Sequence, residues 1–355
     1  MCAVSKAASY GNRRGTHTAK LNRIIEKSHT FDSNFYMSSM KKTFLSLILT
    51  LAALVANAQD SQTGYNFLRL PVSAHAAALG GENITIIEDD ASLTFHNPAL
   101  LSSVSDKTLG LSFMTYMEGA VTAGASFSRL AGDRASWGVA AQYMDYGSMI
   151  ETDENNVQTG EFSAKDIAVQ GTFSYELTQR IVGGITARMI TSYIGDYSSF
   201  AMGVDIGLNY YDPDHEWSVS AVAKNLGGEL KSFDDEYNKM PFNLQLGVTK
   251  RIMNGPLRLS VTATDLTHWD YDNLNHLVCG LDIILSEQIY LAAGYNFRRA
   301  DEMKIQSSDD DDESSSWAGI SLGAGLQLER FKLQLAYAKY HVSSTSLTVN
   351  VAYCF

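Results

Sequence analysis

The chain has 355 residues, room for one large domain or two ordinary ones, with 45% hydrophobic, 10% aromatic and only 19% charged residues. Glycine (27) far outnumbers proline (5), which excludes a disordered tail protein or a collagen, and 39 acidic against 27 basic residues give a net charge of −12, the wrong sign for a nucleic-acid partner. Three scattered cysteines, Cys2, Cys279 and Cys354, form neither a disulfide scaffold nor a metal-ligand spacing, and no cofactor or metal is expected.

Residues 1–39 are polar, basic and unpatterned, and read as an extension upstream of the true start, because a complete export signal follows. Lys41 and Lys42 form a positive n-region, Phe44 to Val55 an apolar core, and Ala56-Asn57-Ala58 a small-x-small cleavage site. Residues 40–58 therefore predict a secretory signal peptide, cut after Ala58; the run is shorter than the about 20 apolar residues of a spanning helix. Losing residues 1–58 removes eight basic and two acidic side chains and deepens the net charge to −18.

Residues 59–107 alternate poorly. They contain Tyr65-Asn66-Phe67-Leu68-Arg69-Leu70-Pro71, an alanine run ending Leu79-Gly80-Gly81, Asp89-Asp90, and His96-Asn97-Pro98-Ala99-Leu100-Leu101. Alanines followed by two glycines allow close packing and a sharp turn, and Asn-Pro marks a turn entrance. Placed ahead of a β domain, this reads as a plug inside a barrel, with Leu79, Gly80, Gly81, Asn97, Pro98 and Ala99 as its motif.

From residue 108 the chain runs in period two. Val121, Ala123, Ala125 and Phe127 alternate with Thr122, Gly124, Ser126 and Ser128; Leu257, Leu259, Val261 and Ala263 alternate with Arg258, Ser260, Thr262 and Thr264. Each segment thus has one oily face and one wet or close-packed face. Fourteen segments can be marked, near 108–117, 119–130, 135–145, 163–177, 181–194, 199–211, 216–225, 241–250, 256–265, 274–285, 288–298, 317–328, 331–340 and 346–355. Tilted strands of about 10 residues cross a bilayer, whereas soluble strands average about 5–6. The fold expected is all-β: a 14-stranded antiparallel transmembrane β-barrel over 108–355.

Links after even-numbered segments are short, and the long ones, Tyr146 to Phe162, Leu226 to Met240, Leu266 to Asn273 and Arg299 to Ser316, all follow odd ones. Tight inner turns and longer outer loops have this parity. The chain stops on an aromatic-ended amphipathic strand, so Tyr353 and Phe355 read as a barrel-insertion signal.

The order FLRLP…SAHAAALGGENI…DDASLTFHNPALL over residues 65–101 resembles the N-terminal region of the PorQ family, outer-membrane barrels of the type IX secretion system of Bacteroidota. Asn-Pro-Ala segments alone also occur in fatty-acid-transporter barrels and in the related PorV. The resemblance implies a fatty-acid-transporter-type barrel in the cell outer membrane. It also implies an attachment complex with a PorZ-like surface protein, the sortase PorU and PorV, which removes the C-terminal signal of cargo and links the cargo to lipopolysaccharide. In that reading the chemistry belongs to the sortase, and this chain, no enzyme itself, anchors its surface partner among the outer-membrane lipids.

Single residues carry weaker signals. Asp309, Asp310, Asp311, Asp312 and Glu313 form a charge run in a long loop, read first as solvated and second as a dock for a basic partner or divalent cations. Asp234-Asp235-Glu236 and Asp153, Glu154 and Glu161 would extend an acidic rim. His96 reads as a hydrogen-bonded turn histidine rather than a catalytic one, since no nucleophile with a second carboxylate is legible. Arg188, on the wet register, is expected in the lumen beside an acid such as Asp89 or Asp90, because an unpaired buried charge is costly. Trp217, Tyr290, Trp317 and Tyr340 read as interface anchors. The alternative to a docking barrel is an outer-membrane channel for hydrophobic small molecules; an outer-membrane lipid hydrolase ranks last.

Overall fold

The computed structural model describes residues 63–117, 119–234, 236–252, 255–269, 272–303 and 316–355, so the signal segment 40–58 and the run Asp309 to Glu313 lie outside the described residues. Strict alternation makes each segment a strand that must place its two faces in different surroundings. The strands are β1 Thr108–Thr115, β2 Val121–Leu130, β3 Ala135–Thr152, β4 Gln158–Glu176, β5 Ile181–Ile194, β6 Tyr197–Asp212 and β7 Trp217–Lys231. They continue with β8 Asn243–Arg251, β9 Leu257–Ala263, β10 Leu277–Ile284, β11 Ile289–Asn296, β12 Ile320–Gln327, β13 Phe331–His341 and β14 Ser344–Cys354. Each pairs antiparallel with its sequence neighbours, and β1 pairs with β14 (Leu111 opposite Val351) to close a barrel without an edge.

The two faces are inverted relative to a soluble protein. In β4, Val169 and Phe173 are each 47% exposed, while Gln170 (3%) and Ser174 (0%) point inward and are buried. Leu111, Val139, Met189, Leu246 and Leu322 repeat the outward pattern around the cylinder. A continuous apolar exterior of this extent requires lipid.

Three strands reach further than the alternation alone indicates. The link expected from Tyr146 to Phe162 is instead a hairpin that extends β3 and β4, with Met149 opposite Phe162 and a register shift between Asp145 and Ser148. Gly147 there has φ 80°, the left-handed value that lets one strand bulge and then resume pairing. Likewise β7 runs on to Lys231, into the expected loop 226–240. Those extensions and the links 232–242, 264–276 and 297–319 all fall at one end, so the parity of the connections holds.

The lumen is occupied by residues 63–107. Helix α1 (Ala74–Ala78) packs on β11 to β14, the 3-10 turn Ala91–Phe95 on β1 and β2, and the 3-10 turn Pro98–Ser103 on β3 to β6. Two glycine pairs make this possible. Gly184 of β5 lies opposite Gly207 of β6, and side chains at either position would collide with Asn97, Pro98 or Ala99. Gly280 of β10 lies opposite Gly294 of β11, and there a Cβ would strike Leu79 (2.8 Å from Cδ2 for Gly280) or the Leu79–Gly80 peptide. Gly80 itself has φ 100°, which turns the chain away from the wall after α1. Both halves of the plug motif thus sit against bare backbone.

Two expected interface aromatics are corrected. Tyr290 is 6% exposed and Tyr340 half-buried, both on the inward register, because each falls between outward apolar residues or at a strand end over the plug. Trp217 and Trp317 are exposed, Trp217 with the Lys250 ammonium 4.3 Å above its ring. Replacing Gly294 or Gly207 by valine should assemble a barrel but unseat the plug. Overpacking of about 1–3 kcal/mol corresponds to roughly fivefold to 150-fold acceleration of protease cleavage within 63–107. Gly171→Val, outward with open space around its Cβ position, should leave cleavage unchanged.

Candidate functional site

Ser73 begins α1 by accepting a bond from the Ala76 amide on Oγ (3.3 Å), and the helix presents His75 to the wall of β10. His75 is fully buried and donates from both ring nitrogens, Nδ1 to Glu88 (2.8 Å) and Nε2 to Asp282 (2.8 Å). Arg258 of β9, directly opposite Asp282 in register, closes the set by donating from Nε to Asp282 (2.7 Å) and from Nη2 to Glu88 (3.1 Å). Tyr290 stacks on the imidazole with ring centroids 4.0 Å apart. Two carboxylates and two cations make a neutral ring, with one member of each sign from the plug and one of each from the wall.

Burial alone would push the His75 pKa down; the two carboxylates at its nitrogens outweigh that and raise it to about 9, so the ring is an imidazolium. Burial likewise pushes Glu88 up, and His75 and Arg258 more than reverse it, holding its carboxyl below the usual range. A second clamp joins Asp89 to Lys332 of β13 (2.5 Å), while Asp90 caps the turn Ala91–Phe95 through Ser92 (2.8 Å).

Arg188 does lie in the lumen, but not beside Asp89 or Asp90, which those contacts already engage. Its partners are all on the wall: Gln170 (2.9 Å), Asn225 (2.6 Å) and Asp205 (2.8 Å). Asn225, at φ 58°, marks a bulge in β7 where the register with β6 shifts past Asp205. Asp205 is within reach without that bulge, because β5 and β6 pair in unbroken register and place Asp205 diagonally beside Arg188 on the inward face. His96 is also corrected: it is buried, and neither ring nitrogen has a partner among the described residues. Burial, reinforced by Lys224, pushes its pKa well down, so the ring is neutral.

An apolar cavity of about 450 Å³ opens at the long-loop end. Its walls are Tyr146 and Met149 of β3, Tyr193 and Ile194 of β5, and Phe233 from the β7–β8 link. Its floor is Tyr65, fixed by donating from Oη to Glu229 (2.6 Å), and beneath it lies an apolar cluster of Phe67, Leu68, Met144, Ile190 and Met240. One polar pair enters the lining, Tyr146 Oη donating to Asp166 (2.7 Å).

The plug-motif residues therefore meet at two wall positions, while Tyr353 and Phe355 face outward at the short-loop end of β14, edge to face at 5.1 Å. The acidic run Asp309 to Glu313 is outside the described residues. Missed in the sequence were His75, Glu88, Asp282 and the apolar cavity. A signal did exist for the ring: Arg258 and Asp282 are charged residues on inward registers otherwise filled by uncharged residues, Ser260 and Thr262 in β9 and Val278 and Gly280 in β10.

No protein-family model matches the sequence, and no curated protein aligns with it. Solved structures do match the fold. The chain is similar to the Pseudomonas putida toluene transporter TodX, with TM-score 0.51 and 15% identity over 79% of this chain and 96% of that one. It is similar as well to a Pseudomonas aeruginosa FadL homologue (0.51, 11%, 79% and 98%) and to the Ralstonia pickettii toluene transporter TbuX (0.50, 12%, 80% and 96%). The architecture is that of the FadL-type outer-membrane barrels.

Because His75 is raised from its ordinary 6.5 to about 9, its contribution to seating the plug is complete below the lower value and is lost as pH rises through the upper. His75→Leu leaves two acids facing Arg258 alone and should destabilise plug seating by about 3–5 kcal/mol. Protease protection of the plug, followed with rising pH, should fall near the upper value in the parent protein and show no such step in the variant.

Proposed function

We propose that the chain is an outer-membrane barrel that takes up small hydrophobic molecules at its long-loop end, the outer face. The observation that carries this reading is the apolar cavity over Tyr65, which has the size and lining of a small-molecule site. An apolar solute gains about 25 cal/mol for each Å² removed from water there. The Tyr146–Asp166 pair, with Ser192 beside Asp166 and Asn238 in the lining, makes up the polar part of the site. Packed beneath the cavity are the apolar residues Phe67, Leu68 and Met144 rather than the charged ring, so its surroundings on that side are apolar. The fold shared with TodX and TbuX supports the same reading. Catalysis has no part in it.

A second reading follows from the residues at 65–101 that resemble the PorQ family. In it the barrel anchors a PorZ-like surface protein, with PorU and PorV, for signal removal and attachment of cargo to lipopolysaccharide. The acidic segments of the long-loop end would meet the partner. The apolar cavity has no role in that reading, which is why it stands second.

Titration of the barrel in lipid nanodiscs with toluene should show saturable binding that quenches tyrosine emission. Met149→Asp and Phe233→Asp, both at the rim, should each weaken it by about tenfold, the consequence of placing a charge in an apolar site. Equal binding by parent and variants would refute the uptake reading. Co-purification of a large soluble surface protein and a sortase from native outer membranes would establish the docking reading in its place.

A further inference from the structure

A second cavity, of about 190 Å³, opens at the same end over the wall formed by β8, β9, β11 and β13. Its chemistry is opposite to that of the apolar one. Arg299 lies in helix α2 (Phe297–Glu302), which Asn296 starts by accepting from the Arg299 amide (3.0 Å). The guanidinium is 5% exposed and is fixed by Nε donating to Ala318 O (3.0 Å) and Nη2 to Gly319 O (2.8 Å) and Ser321 Oγ (2.6 Å). It lies 4.8 Å above the Tyr340 ring. No carboxylate pairs with it among the described residues, and Nη1 has no hydrogen-bond partner.

Two more unpartnered donors line the same space. Tyr340 Oη is buried beside the Arg299 guanidinium and has no well-formed hydrogen bond among the described residues, and Nε of Arg69, from the plug turn Asn66–Arg69, has no partner among them. Arg69 likewise makes no ion pair among the described residues. The cavity's remaining charges do not compensate. Arg298 and Glu302 pair with each other (2.6 Å), and Arg298 also pairs with Asp265 (2.5 Å). Glu82 is the one other acid in the lining, and it accepts from Gln245 Nε2 (2.6 Å). Two guanidiniums thus face a single carboxylate in a protein that carries a net charge of −12.

A buried guanidinium with a bare donor is costly unless an acceptor meets it. Planar N–H forks are matched by oxyanions, which accept two bonds at once from an arginine. We infer that this cavity binds a phosphate-type oxyanion between Arg299, Tyr340 and Arg69, as free phosphate or as the phosphate of a lipid headgroup. The site is separate from the apolar cavity, and its standing does not depend on the uptake reading.

The test uses the full exported chain in phosphatidylcholine nanodiscs at constant ionic strength, titrated calorimetrically with inorganic phosphate. Saturable one-site binding is expected. Arg299→Gln and Arg69→Gln should each weaken it by at least about tenfold, the effect of a lost charge-assisted bond. Tyr340→Phe keeps the ring under the guanidinium and removes only the unpartnered hydroxyl; it should weaken binding by roughly threefold to tenfold with the barrel's heat-modifiable migration unchanged. A second arm incorporates phosphatidic acid into the discs. Arginine-dependent association in that arm alone would assign the site to a lipid headgroup, and in the phosphate arm to the free ion; both support an oxyanion site. Binding that is absent from both arms, or equal in parent and variants, overturns it.

Discussion

A cylinder of fourteen strands is wider than its own inward side chains can fill, and the centre of this protein is organised by that shortfall. The inward register carries Ser, Thr, Gln, Gly and Ala, which are too short to meet across the lumen and too polar to be left dry without partners. A peptide segment laid inside satisfies both needs only if its backbone approaches the wall closely. The facing pairs Gly184–Gly207 and Gly280–Gly294 provide that approach, since either pair bearing side chains would hold the plug off. Shape therefore decides where the plug touches.

Charge decides how firmly it stays. His75 and Asp282 are buried and the Glu88 and Arg258 side chains are only 11% and 15% exposed, so removing one leaves a bare charge in a poorly solvated place. The ring of His75, Glu88, Arg258 and Asp282 draws one cation and one anion from each of plug and wall, so each part is neutral by itself, and the two cross bonds, His75 to Asp282 and Arg258 to Glu88, tie them together. Apolar packing of α1 against β11 to β14 adds area but little direction. The orientation of the plug follows from the ring, and its depth from the glycines.

Much of the architecture is legible in the sequence because a lipid-facing strand has to alternate without interruption, and Leu257 to Ala263 does so residue by residue. The turning character of the N-terminal segment was legible for a related reason: Leu79-Gly80-Gly81 and Asn97-Pro98-Ala99 break the alternation with residues suited to turning and close contact. The segment's partners were not. Arg188 offers the instructive failure, since its acid, Asp205, is a diagonal neighbour on the adjacent strand β6, and the periodicity of one strand does not show which residues of the next it meets. Tyr290 reads as an interface aromatic by composition, yet its place between Ile289 and Leu291 puts it inside, where it stacks on His75. The apolar cavity is assembled from β3, β5, the plug and the β7–β8 link, and no local pattern announces it.

The long-loop end is consequently divided between two environments by the plug itself. On the side of β3 to β5, Tyr65 and Phe67 leave an apolar hollow; on the side of β8 to β13, Arg69 and the Gly80-Gly81 turn leave a cationic one. Both hollows are bounded by the same short stretch, so the sequence Tyr65 to Arg69 presents opposite chemistry to opposite walls within two turns of chain. That arrangement bears on access. In the uptake reading proposed above, a wholly apolar molecule would be accepted on one wall and refused on the other, where burying the arginines without an anion would be costly. A molecule with an apolar body and an anionic group finds each part matched, but on opposite sides of the plug. The geometry thus separates the two chemistries, and movement of residues 65–69 is the one change that would join them.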